Sequence, residues 1–185
     1  MTNPKETITI VNVVASSAVD QELDLKQLGP DLQGADYDSD RFPGLMYRTQ
    51  DPKATSLIFR SGKILVTGAS SVAAVLTVLE NIFSALDDLG IHVPDSPSGT
   101  VQNIVSSADL DRSLNLNAIA IGLGLENVEY EPEQFPGLVY RIDEPDVVVL
   151  LFGSGKIIVT GAKTTEDAER AIDVVCSRLD DIQHV

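Results

Sequence analysis

The chain has 185 residues, 43% of them hydrophobic, and a formal net charge of −15. That is enough apolar material for one or two compact cores, yet no stretch approaches the roughly 20 apolar residues of a membrane span, and the start, MTNPKETITI, lacks the basic and apolar regions of a secretory signal. One cysteine, Cys176, and two unclustered histidines support neither a disulfide nor a metal site, so no cofactor is expected and the setting expected is cytoplasmic. Thr7 to Ala15 alternates and is rich in valine and isoleucine, which predicts a strand. A short helix is predicted to start near Asp24, followed by strands around Leu45 to Thr49, Ser56 to Phe59 and Lys63 to Thr67, with turns at Pro52 and Ser61-Gly62. After Gly68 the period changes. Val72, Val75, Leu76, Leu79, Ile82, Phe83, Leu86 and Leu89 recur at three- and four-residue spacing, predicting a long amphipathic helix capped by Ser70 or Ser71 and ended by Gly90. A second short helix is predicted near Asn115. After Gly161 a second long helix is predicted, with Thr164 or Thr165 as its cap and Ala168, Ala171, Ile172, Val175, Leu179 and Ile182 as its apolar stripe.

The second half of this pattern repeats the first in its residues as well as its periods. FPGLMYRT at Phe42 to Thr49 returns as FPGLVYRI at Phe135 to Ile142, and LIFRSGKILVTGA at Leu57 to Ala69 returns as LLFGSGKIIVTGA at Leu150 to Ala162, both at an offset of 93 residues. Asn12-Val13-Val14 is echoed by Asn103-Ile104-Val105 at an offset of 91, which places a two-residue insertion in the stretch Gly122 to Asn127. One motif has been duplicated, so repeats spanning 1–94 and 95–185 are expected, with function on surfaces that both copies carry.

Each repeat reads as strand, short helix, several antiparallel strands and long helix. Helices covering one sheet face leave the other open. Alternation puts Asn12 with Val14, Leu57 with Phe59 and Leu65 with Thr67 on that open face, and in the second repeat Asn103 with Val105, Leu150 with Phe152 and Ile158 with Thr160. Ile64, Val66, Ile157 and Val159 have the opposite parity and should face the helices. Four of the five phenylalanines, Phe42, Phe59, Phe135 and Phe152, form symmetric pairs at strand ends or turns. They could be core aromatics of a repeated fold, but an open face that is apolar rather than polar is also the mark of a binding surface.

QNIV at Gln102 to Val105, YEPEQFPGLVYR at Tyr130 to Arg141 and the twofold SGK…VTGA block resemble the TATA-box-binding protein family, general transcription factors of archaea and eukaryotes, over nearly the whole chain from about Ile8 to Leu179. The resemblance implies an α+β fold: a pseudo-twofold saddle with a curved antiparallel sheet and helices on its convex side. It also implies binding of A·T-rich double-stranded promoter DNA in the minor groove, by a monomer on DNA that could dimerise when free. Phe42, Phe59, Phe135 and Phe152 match the family's intercalating positions. Asn12, Val14, Leu57, Leu65 and Thr67, with Asn103, Val105, Leu150, Ile158 and Thr160, match its groove-reading positions. Arg48, Lys53, Ser61, Lys63, Arg141, Ser154 and Lys156 match phosphate contacts, and Glu131, Glu133 and Gln134 match the contact site for transcription factor B, through which RNA polymerase is recruited indirectly.

Two departures from the family pattern stand out. Asp146 follows Pro145 where the family usually has a basic residue, and the overall acidity resembles that of proteins from salt-loving archaea. The charge is unevenly spread: Arg41 to Thr67 holds five bases against one acid, whereas residues 95–185 hold six bases against sixteen acids. In molar salt the Debye length falls to roughly 3 Å, so an acidic exterior would not by itself prevent DNA binding.

Enzyme readings find little support. Gly122-Leu123-Gly124 lacks the third glycine and preceding strand of a dinucleotide fingerprint, and Ser154-Gly155-Lys156 lacks the glycine spacing and following hydroxyl of a P-loop. The alternatives are an accessory nucleic-acid-binding domain of a DNA repair or nuclease system, and a protein-interaction scaffold without DNA binding. The absence of any catalytic unit beside the repeats weighs against the first, and the presence of all four phenylalanines and both asparagines against the second.

Overall fold

The computed structural model describes residues 4–95 and 98–183. They divide into two compact units: Asn12–Gln102 forms one, and the N-terminal residues up to Val11 pack with those from Asn103 onward to form the other. The boundaries therefore fall inside strands, just before each of the two asparagines.

In the first unit the chain runs from β1 (Thr9–Ala18) through α1 (Leu25–Asp31), β2 (Ala35–Asp36), β3 (Gly44–Gln50), β4 (Lys53–Phe59) and β5 (Lys63–Ala69) to α2 (Val72–Asp88). Its sheet has the order β2-β3-β4-β5-β1, and its paired strands are antiparallel. The second unit repeats this with β6 (Thr100–Asp109), α3 (Leu116–Leu123), β7 (Val128–Glu129), β8 (Leu138–Ile142), β9 (Val147–Leu151), β10 (Lys156–Ala162) and α4 (Thr165–Gln183), in the order β6-β10-β9-β8-β7. The α+β architecture read from the sequence is the one found. The two-residue strands β2 and β7 are too short to carry a period and were not predicted, nor was the 3-10 turn Pro4–Thr7.

Local chemistry sets the helix ends. Asp24 accepts from the backbone N–H groups of Lys26 and Gln27, and Asn115 from that of Ala118, capping the two short helices. Ser71 accepts from Ala74 N at 3.0 Å and Thr164 from Asp167 N at 3.1 Å, so each long helix starts where a hydroxyl can satisfy an orphan donor. Gly90, at φ 79°, ends α2 just beyond its cap residue Leu89.

Each core lies between one sheet face and a long helix. Ile64 and Val66 on β5, and Ile157 and Val159 on β10, are all fully buried, with α2 packed on β5 and α4 on β10. Each such side chain contributes roughly 1.5–3 kcal/mol on burial. The α2 stripe differs from the predicted one at its edge: Val78 is buried, while Leu76 and Leu89 are exposed. The buried arc runs from Val75 through Val78, Ile82 and Leu86, and at 100° per residue that rotation carries Leu76 to the margin.

The SGK turns owe their glycines to close packing. Gly62 and Gly155 have φ of 85° and 95°, and a Cβ on them would lie 2.2 Å from the carbonyl oxygens of Val19 and Arg112, respectively. Both sit in β-hairpin turns, between β4 and β5 and between β9 and β10, not at the strand-to-helix junction a P-loop requires. Gly90→Ala, with open space around it, is expected to cost about 1–2 kcal/mol for its left-handed backbone. Gly155→Ala is expected to cost at least about 1 kcal/mol more because overlap adds to strain. Urea unfolding of both variants at constant salt checks the difference.

Candidate nucleic-acid interface

The strand faces turned away from the helices carry side chains that are neither buried nor freely solvated. Val14, Leu57, Leu65 and Thr67 in one unit, and Val105, Leu150, Ile158 and Thr160 in the other, are all half-buried, as are Asn12 and Asn103. Register assembles them into rows across the strands. In the first unit Met46, Leu57, Leu65 and Ser16 are successive cross-strand partners, and Arg48, Thr55 and Thr67 form the next row. The second unit places Val139, Leu150, Ile158 and Ser107 in one row and Arg141, Val148 and Thr160 in the next. The sequence reading missed Met46, Val139, Ser16, Ser107, Thr55 and Val148. Thr55 and Val148 were within reach, because each stands two residues before an identified face residue. So were Ser16 and Ser107, two residues after Val14 and Val105 on the same strands, whereas Met46 and Val139 depend on register between strands.

At the outer end of each surface two phenyl rings meet. Phe42 and Phe59 have centroids 6.0 Å apart at 60°, and Phe135 and Phe152 lie 5.9 Å apart at 69°, tilted or edge-on geometries that aromatic quadrupoles favour. Phe135 is 39% exposed, and the other three are half-buried. The glycine of each FPG motif makes room for its pair. A Cβ on Gly44 would lie 2.8 Å from Phe42 Cε1 and 3.2 Å from Phe59 Cε1; on Gly137 it would lie 2.7 Å from Phe135 Cε1 and 3.0 Å from Phe152 Cε1. Gly44 and Gly137 are therefore positioning residues, and the repeated FPG was the signal that could have found them.

The asparagines are held by β-bulges. The β1–β5 register shifts between Val13 and Ala15 and the β6–β10 register between Val159 and Ala162, with one extra residue on β5 and on β10. Gly68, at φ 87°, and Gly161, at φ 97°, occupy these bulges and donate their N–H groups to Asn12 Oδ1 and Asn103 Oδ1, both at 2.7 Å. A backbone N–H can only donate, so the facing side-chain atom must be the amide oxygen, which fixes both amide orientations. Each Nδ2 then donates one hydrogen to a threonine, Asn12 to Thr67 Oγ1 at 3.3 Å and Asn103 to Thr160 Oγ1 at 3.2 Å, and the other hydrogen has no partner among the described residues. The centre of each half-surface is thus a fixed donor set beside an aliphatic floor.

Cations surround the two faces unequally. Arg48, Lys53, Ser61 and Lys63, and Arg141, Ser154 and Lys156, are all exposed; Ser61 and Ser154 lie in the SGK turns and accept from the N–H of Lys63 and Lys156. Among the described residues no ion pair restrains Arg48, Lys53 or Lys63, whereas Arg141 is engaged by Glu129 at 3.2 Å. Lys53 opens β4, while the residue before β9 at the equivalent place is Asp146. Glu131, Glu133 and Gln134 are exposed in the turn between β7 and β8, which is closed by Gln134 N and Phe135 N donating to Glu131 O and by a side-chain hydrogen bond from Gln134 to Glu131. The equivalent turn of the first unit closes in the same way, Arg41 N and Phe42 N donating to Asp38 O. Cys176 is no nucleophile: burial, and secondarily Asp180, raise its thiol pKa and keep it protonated near neutrality.

Two copies of an open, half-apolar sheet face, each with a fixed donor centre and a flanking aromatic pair, define a duplicated sheet-surface binding protein. The chain matches the family described as "Transcription factor TFIID (or TATA-binding protein, TBP)" twice, over residues 7–89 and 98–182, and belongs to that family. It is 66% identical to the TATA-box-binding protein of Haloarcula marismortui and 64% identical to TATA-box-binding protein E of Halobacterium salinarum, each over 98% of both chains. The solved structure of Methanococcus jannaschii TBP superposes with a TM-score of 0.84 at 48% identity, covering 96% of this chain and 99% of that one. Both sequence relatives come from halophilic archaea, as the acidic composition led one to expect.

Asn103→Ala is expected to leave Gly161 N–H without its acceptor and to speed its hydrogen exchange at least about tenfold, a hydrogen bond being worth roughly 0.5–1.5 kcal/mol. Asn103→Asp keeps an oxygen there and should preserve the protection. Amide exchange followed by NMR distinguishes the two.

Proposed function

We propose that the chain is a general transcription initiation factor that binds the minor groove of A·T-rich TATA-box DNA, kinks it with its two phenylalanine pairs and recruits transcription factor B and, through it, RNA polymerase. The observation that carries this reading is the pair of locked asparagine amides, each presenting a donor beside Val, Leu and Ile side chains. An A·T pair offers only acceptors in the minor groove, adenine N3 and thymine O2, whereas G·C adds the guanine amino group. The remaining Nδ2 hydrogens suit the acceptors. An aliphatic floor leaves the guanine amine without a partner and in steric conflict, so A·T preference follows from both terms.

The wedge role of Phe42 with Phe59 and of Phe135 with Phe152 comes to this chain from its family, which bends DNA by inserting apolar side chains between base steps. Their geometry supports it: the rings stand partly exposed over a glycine, with no side chain beneath to be displaced. Flexible TA steps lower the cost of unstacking and add a shape component to specificity. Arg48, Lys53, Ser61, Lys63, Arg141, Ser154 and Lys156 position the phosphates and carry little sequence information. The free cations belong mainly to the first unit, so the phosphate grip is proposed to be stronger there. In molar salt counterion release contributes little, and apolar packing, which salt does not weaken, carries the affinity.

The turn holding Glu131, Glu133 and Gln134 is proposed as the contact for transcription factor B. Its counterpart in the first unit reads Ser39-Asp40-Arg41, a mixed-charge turn, so a basic partner can tell the two apart and give a duplicated protein a direction on DNA.

Energy transfer between the ends of a labelled duplex tests bending. It should rise for a TATA-containing site and not for its G·C-substituted counterpart, and Phe135→Ala with Phe152→Ala should reduce the rise more than Lys53→Ala does, the Phe42 and Phe59 pair remaining in place. Affinity for the TATA site should persist at molar potassium chloride. By contrast, a binder neutralising 6–10 phosphates loses about 10³–10⁵ between 50 and 200 mM salt, and such a loss here would refute the salt assignment. Charge reversal at Glu131 and Glu133 should eliminate the ternary complex with transcription factor B in a gel shift, with binary DNA binding changed less than about twofold.

A further inference from the structure

The two reading faces are near copies, and one of the positions at which they differ replaces a hydrocarbon with a thioether. Met46 stands where the second unit has Val139, and both are half-buried. Met46 has Asp36 of β2 and Leu57 of β4 as its cross-strand partners, and Val139 has Glu129 and Leu150. Apart from Met1 the chain has no other methionine. A pocket of about 210 Å³ opens beside this position, lined by Met46 with Phe42, Asp36, Asp38, Arg41 and Arg48. A water molecule's share of liquid volume is about 30 Å³, so the pocket admits a small peroxide. The chain's remaining sulfur is less exposed to such chemistry. Cys176 is half-buried on α4, and burial, with Asp180 secondarily, keeps it a thiol rather than the reactive thiolate. A thioether has no proton to lose and reacts as it stands.

We propose that Met46 is an oxidation site on the DNA-reading face, where a hydroperoxide converts the thioether to a sulfoxide and so weakens the first unit's hold on A·T-rich DNA. The inference rests on the minor-groove reading of that face. A sulfur lone pair attacks one peroxide oxygen, and the S–O bond forms as the O–O bond breaks. The departing oxygen takes up the hydroperoxide proton, so the sulfur is oxidised by two electrons while the peroxide is reduced to an alcohol or water. The product is a polar acceptor standing in what was an apolar row with Leu57 and Leu65. A·T pairs offer only acceptors in the minor groove, so the new oxygen finds no donor on the base edge and loses its water when DNA docks. The donors it does meet are Arg41 and Arg48, which line the same pocket. Arg48 is proposed to hold a phosphate, and a guanidinium drawn to the sulfoxide is drawn away from the DNA. Both effects lower affinity. Val139 offers a peroxide nothing to attack, so the change is confined to one half of the duplicated surface.

Hydrogen peroxide applied to the full chain tests this, with peptide mass spectrometry reading Met46 and fluorescence anisotropy reading affinity for a TATA duplex in high salt. One added oxygen at Met46 should weaken binding at least about tenfold, and methionine sulfoxide reductases should restore it. The rate of oxygen addition should stay constant from about pH 6 to pH 8, where a thiolate reaction would accelerate. A saturating TATA duplex should slow it. Met46→Leu, close in volume, should bind like the parent and keep its affinity after the same treatment, whereas Cys176→Ala should remain as sensitive as the parent. Several results would overturn the proposal: Met46 left unmodified at a dose that oxidises free methionine, an oxidised chain that binds as tightly as the untreated one, a Met46→Leu variant that loses affinity as the parent does, or a loss that Cys176→Ala prevents. An untreated chain with no preference for the TATA duplex would instead refute the minor-groove reading itself, and the proposal with it.

Discussion

Strand side chains alternate between two faces, and in each unit only one face is covered by a helix. Packing α2 on β5 and α4 on β10 requires Ile64, Val66, Ile157 and Val159 to point inward, and Leu65, Thr67, Ile158 and Thr160 then point outward. A one-residue slip would exchange the two sets, so the register that makes the core also makes the binding face. Stability and recognition are set by the same geometric choice. This explains how an apolar outer face can persist: its side chains stand on strands whose position is already fixed from behind.

The bulges at Gly68 and Gly161 refine that choice. An uninterrupted ladder would spend both N–H groups on strand pairing, whereas the extra residue frees each for an asparagine. The amide becomes a part with one fixed end and one presenting end. Rigid donors of this kind suit acceptors whose position on the base edge varies little between A·T and T·A, and are poorly suited to telling those two apart. Direction on DNA must then come from elsewhere, and the molecule differs between its halves in charge: Asp146 opposite Lys53, Arg141 engaged by Glu129, and acidic residues concentrated in the second repeat.

Much of this was legible in the sequence because the duplication prints the same signal twice. The short-helix starts near Asp24 and Asn115, the caps of the long helices to within one residue, the long helices and the main strands follow from period and capping chemistry. The paired phenylalanines and asparagines stood out because they recur at matching offsets. What escaped depends on relations between distant residues. Met46 and Val139 join the face only through cross-strand register, and the bulges leave no mark in composition beyond one glycine each. The need for Gly44 and Gly137 arises from rings two and fifteen residues away. The grouping of residues 4–11 with the second repeat depends on packing that no local pattern encodes: Lys5 reaches Asp173, and Thr7 exchanges hydrogen bonds with the backbone of Asp109. Leu76 was misplaced because an amphipathic period locates the centre of a stripe better than its edge.

The central claim is that these two faces read the minor groove through acceptor-only base pairs. Its most direct test replaces every A·T pair of a bound TATA site by an inosine·cytosine pair. Inosine lacks the guanine amino group, so the minor groove keeps its A·T-like pattern while the major groove becomes that of G·C. Equilibrium binding in high salt should stay within a few-fold of the TATA duplex and far above the corresponding G·C duplex. Affinity as low as that for G·C DNA would mean that the major groove or the phosphates carry recognition, and would contradict the account.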